Sequence, residues 1–255
     1  MPLVASLELS LASTIIEEAM DARLETIEDI TDWKVKLGAR AIHELCIKAP
    51  ARARRLLSRM ATAKGLEYLG EGIEYSVYRP QGEDRVLKVH RSSVYASEPE
   101  RVVAARRIME ENRLLKLAVG PFLPEQQVDI TDHPLIPGRR AIVLEQPYKA
   151  IMPNTCPTRI NQPQADEEAL VRICEFTGVR DALAEFIGRA NLGAQTHGRA
   201  PDTNGHNNLV LCQGAAGGAE LVLVDGQPIP KTIPVVFGLV MSQVDSMDGW
   251  LRQVA

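Results

Sequence analysis

The sequence predicts an α+β protein on three observations. Apolar residues keep helical spacing over the first 64 positions, the period changes at Leu66, and the order beyond is strands, helix, strands, helices, loop and hairpin. In the first segment, Leu7, Leu11, Ile15 and Ala19 recur every four positions, the stripe of an amphipathic helix. A second helix is expected from about Asp32 to Ile47. A third starts at Pro50, a favourable first-turn residue, and runs to Lys64 before Gly65. Residues 1–64 are therefore expected to be a helical N-terminal extension to a domain of residues 65–255.

In that domain, Leu66 to Arg79 and Arg85 to Arg91 read as strands, joined by the turn composition Pro80-Gln81-Gly82-Glu83-Asp84. A helix is expected from about Glu98 to Leu117. Gln126 to Ile130 and Arg140 to Leu144 read as strands around the His133 to Gly138 loop, and helices follow at Ala165 to Phe176 and Arg180 to Gln195. Leu209 to Leu211 and Leu221 to Val224 form a hairpin with Gln213 to Gly218 at its tip. No internal repeat is visible.

Composition narrows the function classes. With 45% hydrophobic and 24% charged residues, the 255-residue chain can bury an ordinary core. Only 4% aromatic residues and a net charge of -4 argue against a nucleic-acid surface or an anionic membrane as partner. Cys46, Cys156, Cys174 and Cys212 are scattered without a CxxC pair, as expected of reduced thiols in the cytoplasm. There is no basic leader, and no apolar run nears the roughly 20 residues of a membrane span. A soluble, cytoplasmic protein is expected, and secretion without a cleaved leader stays compatible with the sequence.

Charge divides the N-terminal segment. Residues 1–33 carry eight acidic side chains and one Arg, a net of -7, whereas residues 34–64 carry nine basic side chains and Glu44, a net of +8. Pairing of the two stretches within the chain accounts for this. An Arg-rich face of Arg52, Arg54, Arg55 and Arg59 turned to an acidic protein partner is the sharper alternative.

Four motifs point to chemistry. In Leu69-Gly70-Glu71-Gly72-Ile73-Glu74-Tyr75 the two glycines let a hairpin backbone approach phosphate oxygens, and a strand rather than a helix follows them. Sixteen residues after Gly72, Lys88 stands among apolar neighbours in Val86-Leu87-Lys88-Val89, where an ammonium needs an anionic partner. Glu111, on the next helix and one turn before Leu115, could be that partner, and Glu110 is the alternative. Asp202 lies in a loop, Asn207 five residues on at the mouth of a strand, and Asp225 at the end of the paired strand. Such oxygen donors suit magnesium. Taken singly, the Asp202 loop, Asn204-Gly205 and Asp225-Gly226 also read as turn chemistry.

Over about Leu66 to Pro230 these motifs resemble the protein-kinase-like superfamily. The resemblance implies a bilobal protein-kinase-like fold, with residues 65–147 as the N-lobe and 148–255 as a shortened C-lobe. Gly70, Gly72 and Val77 would cover the nucleotide, Lys88 would hold its α- and β-phosphates, and Glu111 would pair with Lys88. Leu144 to Pro147, with Glu145 and Gln146, would be the adenine-contacting hinge, and Leu209 would lie under the adenine. Asp202 falls at the catalytic acid, Asn207 at the metal-binding amide and Asp225 at the principal magnesium ligand, with Asn208 the alternative amide if the loop is one residue longer.

The chain departs from the family pattern at four places. Tyr75 replaces the third glycine, Ala200-Pro201 replaces His-Arg before Asp202, Gly226-Gln227 follows Asp225 in place of Phe-Gly, and no Ala-Pro-Glu follows. The expected activity is transfer of the γ-phosphate of Mg·ATP to a hydroxyl of a protein or small molecule. A nucleotide-binding pseudokinase and a helical interaction protein are the alternatives.

Overall fold

The computed structural model describes residues 50–255, apart from residues 73, 161, 205–207, 215, 216 and 255. The expected helices before Pro50, together with His43 and Cys46, lie outside the described residues. The architecture is α+β, and no described helix is long and apolar enough to cross a membrane.

The chain divides into two compact units. The first comprises the described part of Met1–Ala105 with Gln127–Glu145, and the second comprises Arg106–Gln126 with Gln146–Ala255.

In the first unit, α1 (Pro50–Thr62) leads through Gly65, whose φ of 69° ends the helix, into β1 (Leu66–Glu71). β2 (Tyr75–Pro80) and β3 (Arg85–His90) complete an antiparallel meander. β4 (Gln127–Asp132) and β5 (Arg140–Pro147) pair antiparallel, and the five strands lie in the order β1-β2-β3-β5-β4. The stretch expected as strand over Leu66 to Arg79, with its glycine hairpin, is two strands and a tight turn. On α1, Leu56, Leu57, Met60 and Ala61 recur on one face and bury against Tyr78, Val89, Ala141 and Val143. That face leaves Arg54, Arg55 and Arg59 exposed on the opposite side of the helix. Ser93 ties β3 to β5: its hydroxyl donates to the His90 carbonyl at 2.6 Å and accepts from the Ile142 N–H at 2.9 Å. α2 (Glu98–Val119) opens with a capping box, in which Glu100 accepts from both the N–H and the hydroxyl of Ser97 at 2.7 Å. The division between the units falls within this helix.

In the second unit, α3 (Glu167–Cys174) starts at Asp166, whose carboxylate accepts the Ala169 N–H. α4 (Val179–His197) and α5 (Pro234–Gln253) pack with the end of α2 around Leu115, Leu170, Phe186, Leu209, Leu223 and Met247. Phe122 and Phe186 meet edge to face at 5.5 Å. Two small sheets complete the unit: β6 (Arg199–Pro201) with β9 (Pro228–Pro230), and β7 (Leu209–Gln213) with β8 (Ala219–Leu223).

Three of these elements, α5, β6 and β9, have no counterpart in the sequence reading. α5 shows an apolar stripe of Val240, Val244, Met247 and Leu251 behind a first-turn Pro234, a signal that was there to be found. β6 and β9 are three residues each and rich in proline, and they exist through their mutual pairing. Cys156, Cys174 and Cys212 are free thiols, and burial pushes Cys212 up to about 11, so it stays protonated at neutral pH.

Candidate functional site

In the first unit the sheet register brings three of the expected residues abreast. Gly70 on β1 is opposite Val77 on β2, and Val77 is opposite Lys88 on β3. Directly opposed residues project to the same face of a sheet, so Gly70, Val77 and Lys88 form one row across it. The row depends on a bulge between Tyr68 and Gly70, which inserts Leu69 and resets the alternation of β1. A Cβ placed on Gly70 would meet no atom within 4 Å, so the glycine leaves open space at the end of the row. Lys88 is only 4% exposed.

The second glycine behaves differently. The Gly72 N–H donates to the Tyr75 carbonyl at 2.8 Å and closes the hairpin turn, while its carbonyl accepts from Arg91 at 2.9 Å. The amide of Gly72 is thus engaged within the turn, whereas Gly70 leaves open space.

Glu145 pairs with Arg85 in the first unit. Gln146 is buried in the second, its side-chain oxygen accepting from Gln126 at 3.0 Å. Both side chains are engaged within the protein. Glu111 is 3.7 Å from Arg107 and Glu110 is 2.7 Å from Arg113, each an ion pair along the surface of α2.

The second unit gathers the acidic residues through the ends of two antiparallel ladders. β6 and β9 pair Ala200 with Ile229, and the ladder continues as the Asp202 N–H donates to the Gln227 carbonyl at 2.8 Å. β7 and β8 pair Leu209 with Leu223, and that ladder continues as the Val224 N–H donates to the Asn208 carbonyl at 2.7 Å. Residues 224 and 227 thus clamp residues 208 and 202, and Asp225 lies between the clamps. The loop is also tied from within. The Asn204 N–H donates to the Asp202 carboxylate at 2.9 Å, and the Asn208 side-chain amide donates to the Asp202 carbonyl at 3.1 Å.

Asp202 is partly buried, which pushes its carboxyl up to about 6; the Asn204 N–H opposes the shift and the charge of Asp225 adds to it. Asp225 is exposed.

Asn207 and His206 lie outside the described residues. Among the described residues, Asn208 is the amide tied to Asp202, and the tie uses its nitrogen, leaving Oδ1 as an acceptor. Leu209 is fully buried and joins the core of the second unit with Leu211 and Leu223. The opposite face of β7 carries Val210 and Cys212, packed with Val222 and flanked by Cys156 and Val224.

Several residues that build this site carry no motif. Thr203 and Gln243 are fully buried, as is Thr158, and the Thr203 hydroxyl donates to the Gln243 side-chain oxygen at 2.8 Å. Gly226 is held to a glycine by space, because a Cβ there would stand 2.5 Å from a methyl carbon of Leu223.

Oxygen donors of this kind fit magnesium: a carboxylate at Asp225, an amide oxygen at Asn208 and Asp202 nearby. No group of three or more His, Cys, Asp and Glu side chains suited to a metal occurs among the described residues. No family model matches the chain, and no curated protein or solved structure matches it.

Proposed function

We propose that the protein is a phosphotransferase of protein-kinase-like fold that moves the γ-phosphate of Mg·ATP to a hydroxyl acceptor. The observation that carries this reading is the clamped acidic loop, in which Asp202, Asn208 and Asp225 come together with Asp202 desolvated. The order of elements supports it. The buried lysine is on the third strand of an antiparallel sheet, behind a glycine hairpin and ahead of a long helix, as the kinase pattern requires. In this reading residues 65–147, most of which belong to the first unit, are the N-lobe, and residues 148–255 are the shortened C-lobe.

Each residue then has a physical task. Lys88, in one row with Gly70 and Val77, would hold phosphate oxygens by charge, with Gly70 leaving room for them. Asp225 and the Oδ1 of Asn208 would hold the magnesium ion, which when bound neutralises phosphate charge. Asp202 would accept a hydrogen bond from the acceptor hydroxyl and take its proton late in the transfer. A carboxyl near 6 is poised for that between proton donor and acceptor. Most of the catalysis would come from positioning and electrostatics. Choosing Asn208 as the amide moves the apolar residue two positions later from Leu209 to Val210, which is on the opposite face of β7 from the Leu209 core.

The experiment is incubation of the purified protein with labelled ATP and magnesium, beside Asp202→Ala. Wild type is expected to transfer or release phosphate, and Asp202→Ala to bind ATP without turnover. Turnover by Asp202→Ala at the wild-type rate would remove the assignment. The Gly72 amide, bound inside its own turn, favours a second reading: a protein that binds nucleotide without turning it over. That reading expects a thermal shift with Mg·ATP and no phosphate released.

A further inference from the structure

We propose that Gln243 is a positioning residue for Asp202, acting through Thr203; the inference takes its activity readout from the phosphotransferase reading above. Gln243 projects from α5 and is fully buried. Its side-chain oxygen accepts from the Thr203 hydroxyl at 2.8 Å, and its nitrogen donates to the carbonyls of Arg159 at 3.1 Å and Gln162 at 3.0 Å. Two carbonyls can only accept, so they fix which end of the amide is the nitrogen, and the oxygen is thereby presented to Thr203.

Thr203 is held from two sides. Gln243 takes its hydroxyl, and the Thr158 hydroxyl donates to its carbonyl. That carbonyl shares a rigid peptide plane with the Asn204 N–H, which donates to the Asp202 carboxylate at 2.9 Å. Orienting the plane therefore aims a backbone donor that contacts the Asp202 side chain. The 157–166 segment behind this contact is itself anchored: the Asp166 N–H donates to the Pro157 carbonyl at 2.7 Å, and Arg159 pairs with Asp166. Asp166 also caps α3.

A buried amide that satisfies three partners is an expensive way to fill space, because each partner left unpaired loses its hydrogen bond in a dry interior. An apolar side chain would pack α5 more simply. What the amide adds is a single arrangement of two loops relative to one helix, and the loop it arranges carries Asp202.

The test uses the full chain with Mg·ATP, comparing Thr203→Val, which keeps shape and loses the hydroxyl, with Thr203→Ser, which keeps the donor. Thr203→Val is expected to lower kcat about 100-fold, the size of effect a small misplacement produces, with KM for ATP changed little. Thr203→Ser is expected to recover most of kcat. Equal loss in both variants, or wild-type kcat in Thr203→Val beside a lower Tm, overturns the proposal. A second readout is independent of turnover: the amide proton resonance of Asn204 is expected to move upfield in Thr203→Val and to hold its position in Thr203→Ser. A wild type without turnover would sink the phosphotransferase reading alone, and the Asn204 resonance would still decide this one; an unmoved resonance in Thr203→Val overturns it.

Discussion

The side-chain amide of Asn208 donates to the main-chain carbonyl of Asp202 at 3.1 Å, so the two ends of the acidic loop are tied to each other as well as to the strand ladders beyond them. The tie uses the nitrogen of Asn208 and leaves its Oδ1 as an acceptor. Asn208→Ala should cost about 1 kcal/mol of stability from the lost hydrogen bond, a fall of roughly 2–4 °C in Tm. It should also remove the part of the ATP-induced thermal shift that depends on magnesium. The same substitution at Asn207 should keep that part, and loss at Asn207 alone would transfer the ligand role to it.

The Asp202 carboxyl sets a stability profile against pH in metal-free protein. Its folded value is raised to about 6, chiefly by burial. The unfolded value is about 4, so the folded state keeps a proton that the unfolded chain gives up. The stability this contributes is fully present below about 4 and is lost as pH rises through about 6. Denaturant melts in chelator should show wild type weakening by about 2 kcal/mol from pH 4 to 8, and Asp202→Asn should lack that component. Parallel profiles for the two proteins would refute the buried carboxyl.

Gly226 offers a steric test of the position after Asp225. A methyl group there would meet the Leu223 side chain at 2.5 and 2.7 Å, and Leu223 is fully buried opposite Leu209. Gly226→Ala should therefore destabilise by about 1–3 kcal/mol through overpacking, measured by chemical denaturation. Unchanged stability would mean that Leu223 has room to move.

Steric need also explains what the sequence could show. The α+β class, the glycine hairpin, Lys88 on a strand and the hairpin beyond Asp202 follow from period and turn chemistry, which are local. The bulge at Leu69 that aligns Gly70 with Val77 and Lys88 is a product of strand pairing, and no local pattern announces it. β6 and β9 were illegible for the same reason: proline-rich triplets become strands only through each other. The buried contact of Thr203 with Gln243 spans 40 residues, and a lone Gln in an apolar helix looks like any surface glutamine. Of the acidic loop, the residue types were legible; the tie from the Asn208 side chain to the Asp202 carbonyl was not, because it exists only once the loop has closed.

Two helical glycines of the second unit separate intrinsic propensity from packing. Gly249 on α5 has nothing within 4 Å of the place a Cβ would take, so Gly249→Ala gains helix propensity with no clash. It should stabilise by about 0.5–1 kcal/mol. Gly193 on α4 approaches α2 so closely that a Cβ would lie 2.7 Å from the Cβ of Ala118, which is itself buried in the core. There the same propensity gain opposes a contact that two packed helices relieve only by moving apart, at a cost of about 1–3 kcal/mol. Gly193→Ala should therefore lower Tm while Gly249→Ala raises it, read side by side in one thermal series. A rise at both positions would show that α2 and α4 are not in the close contact described here.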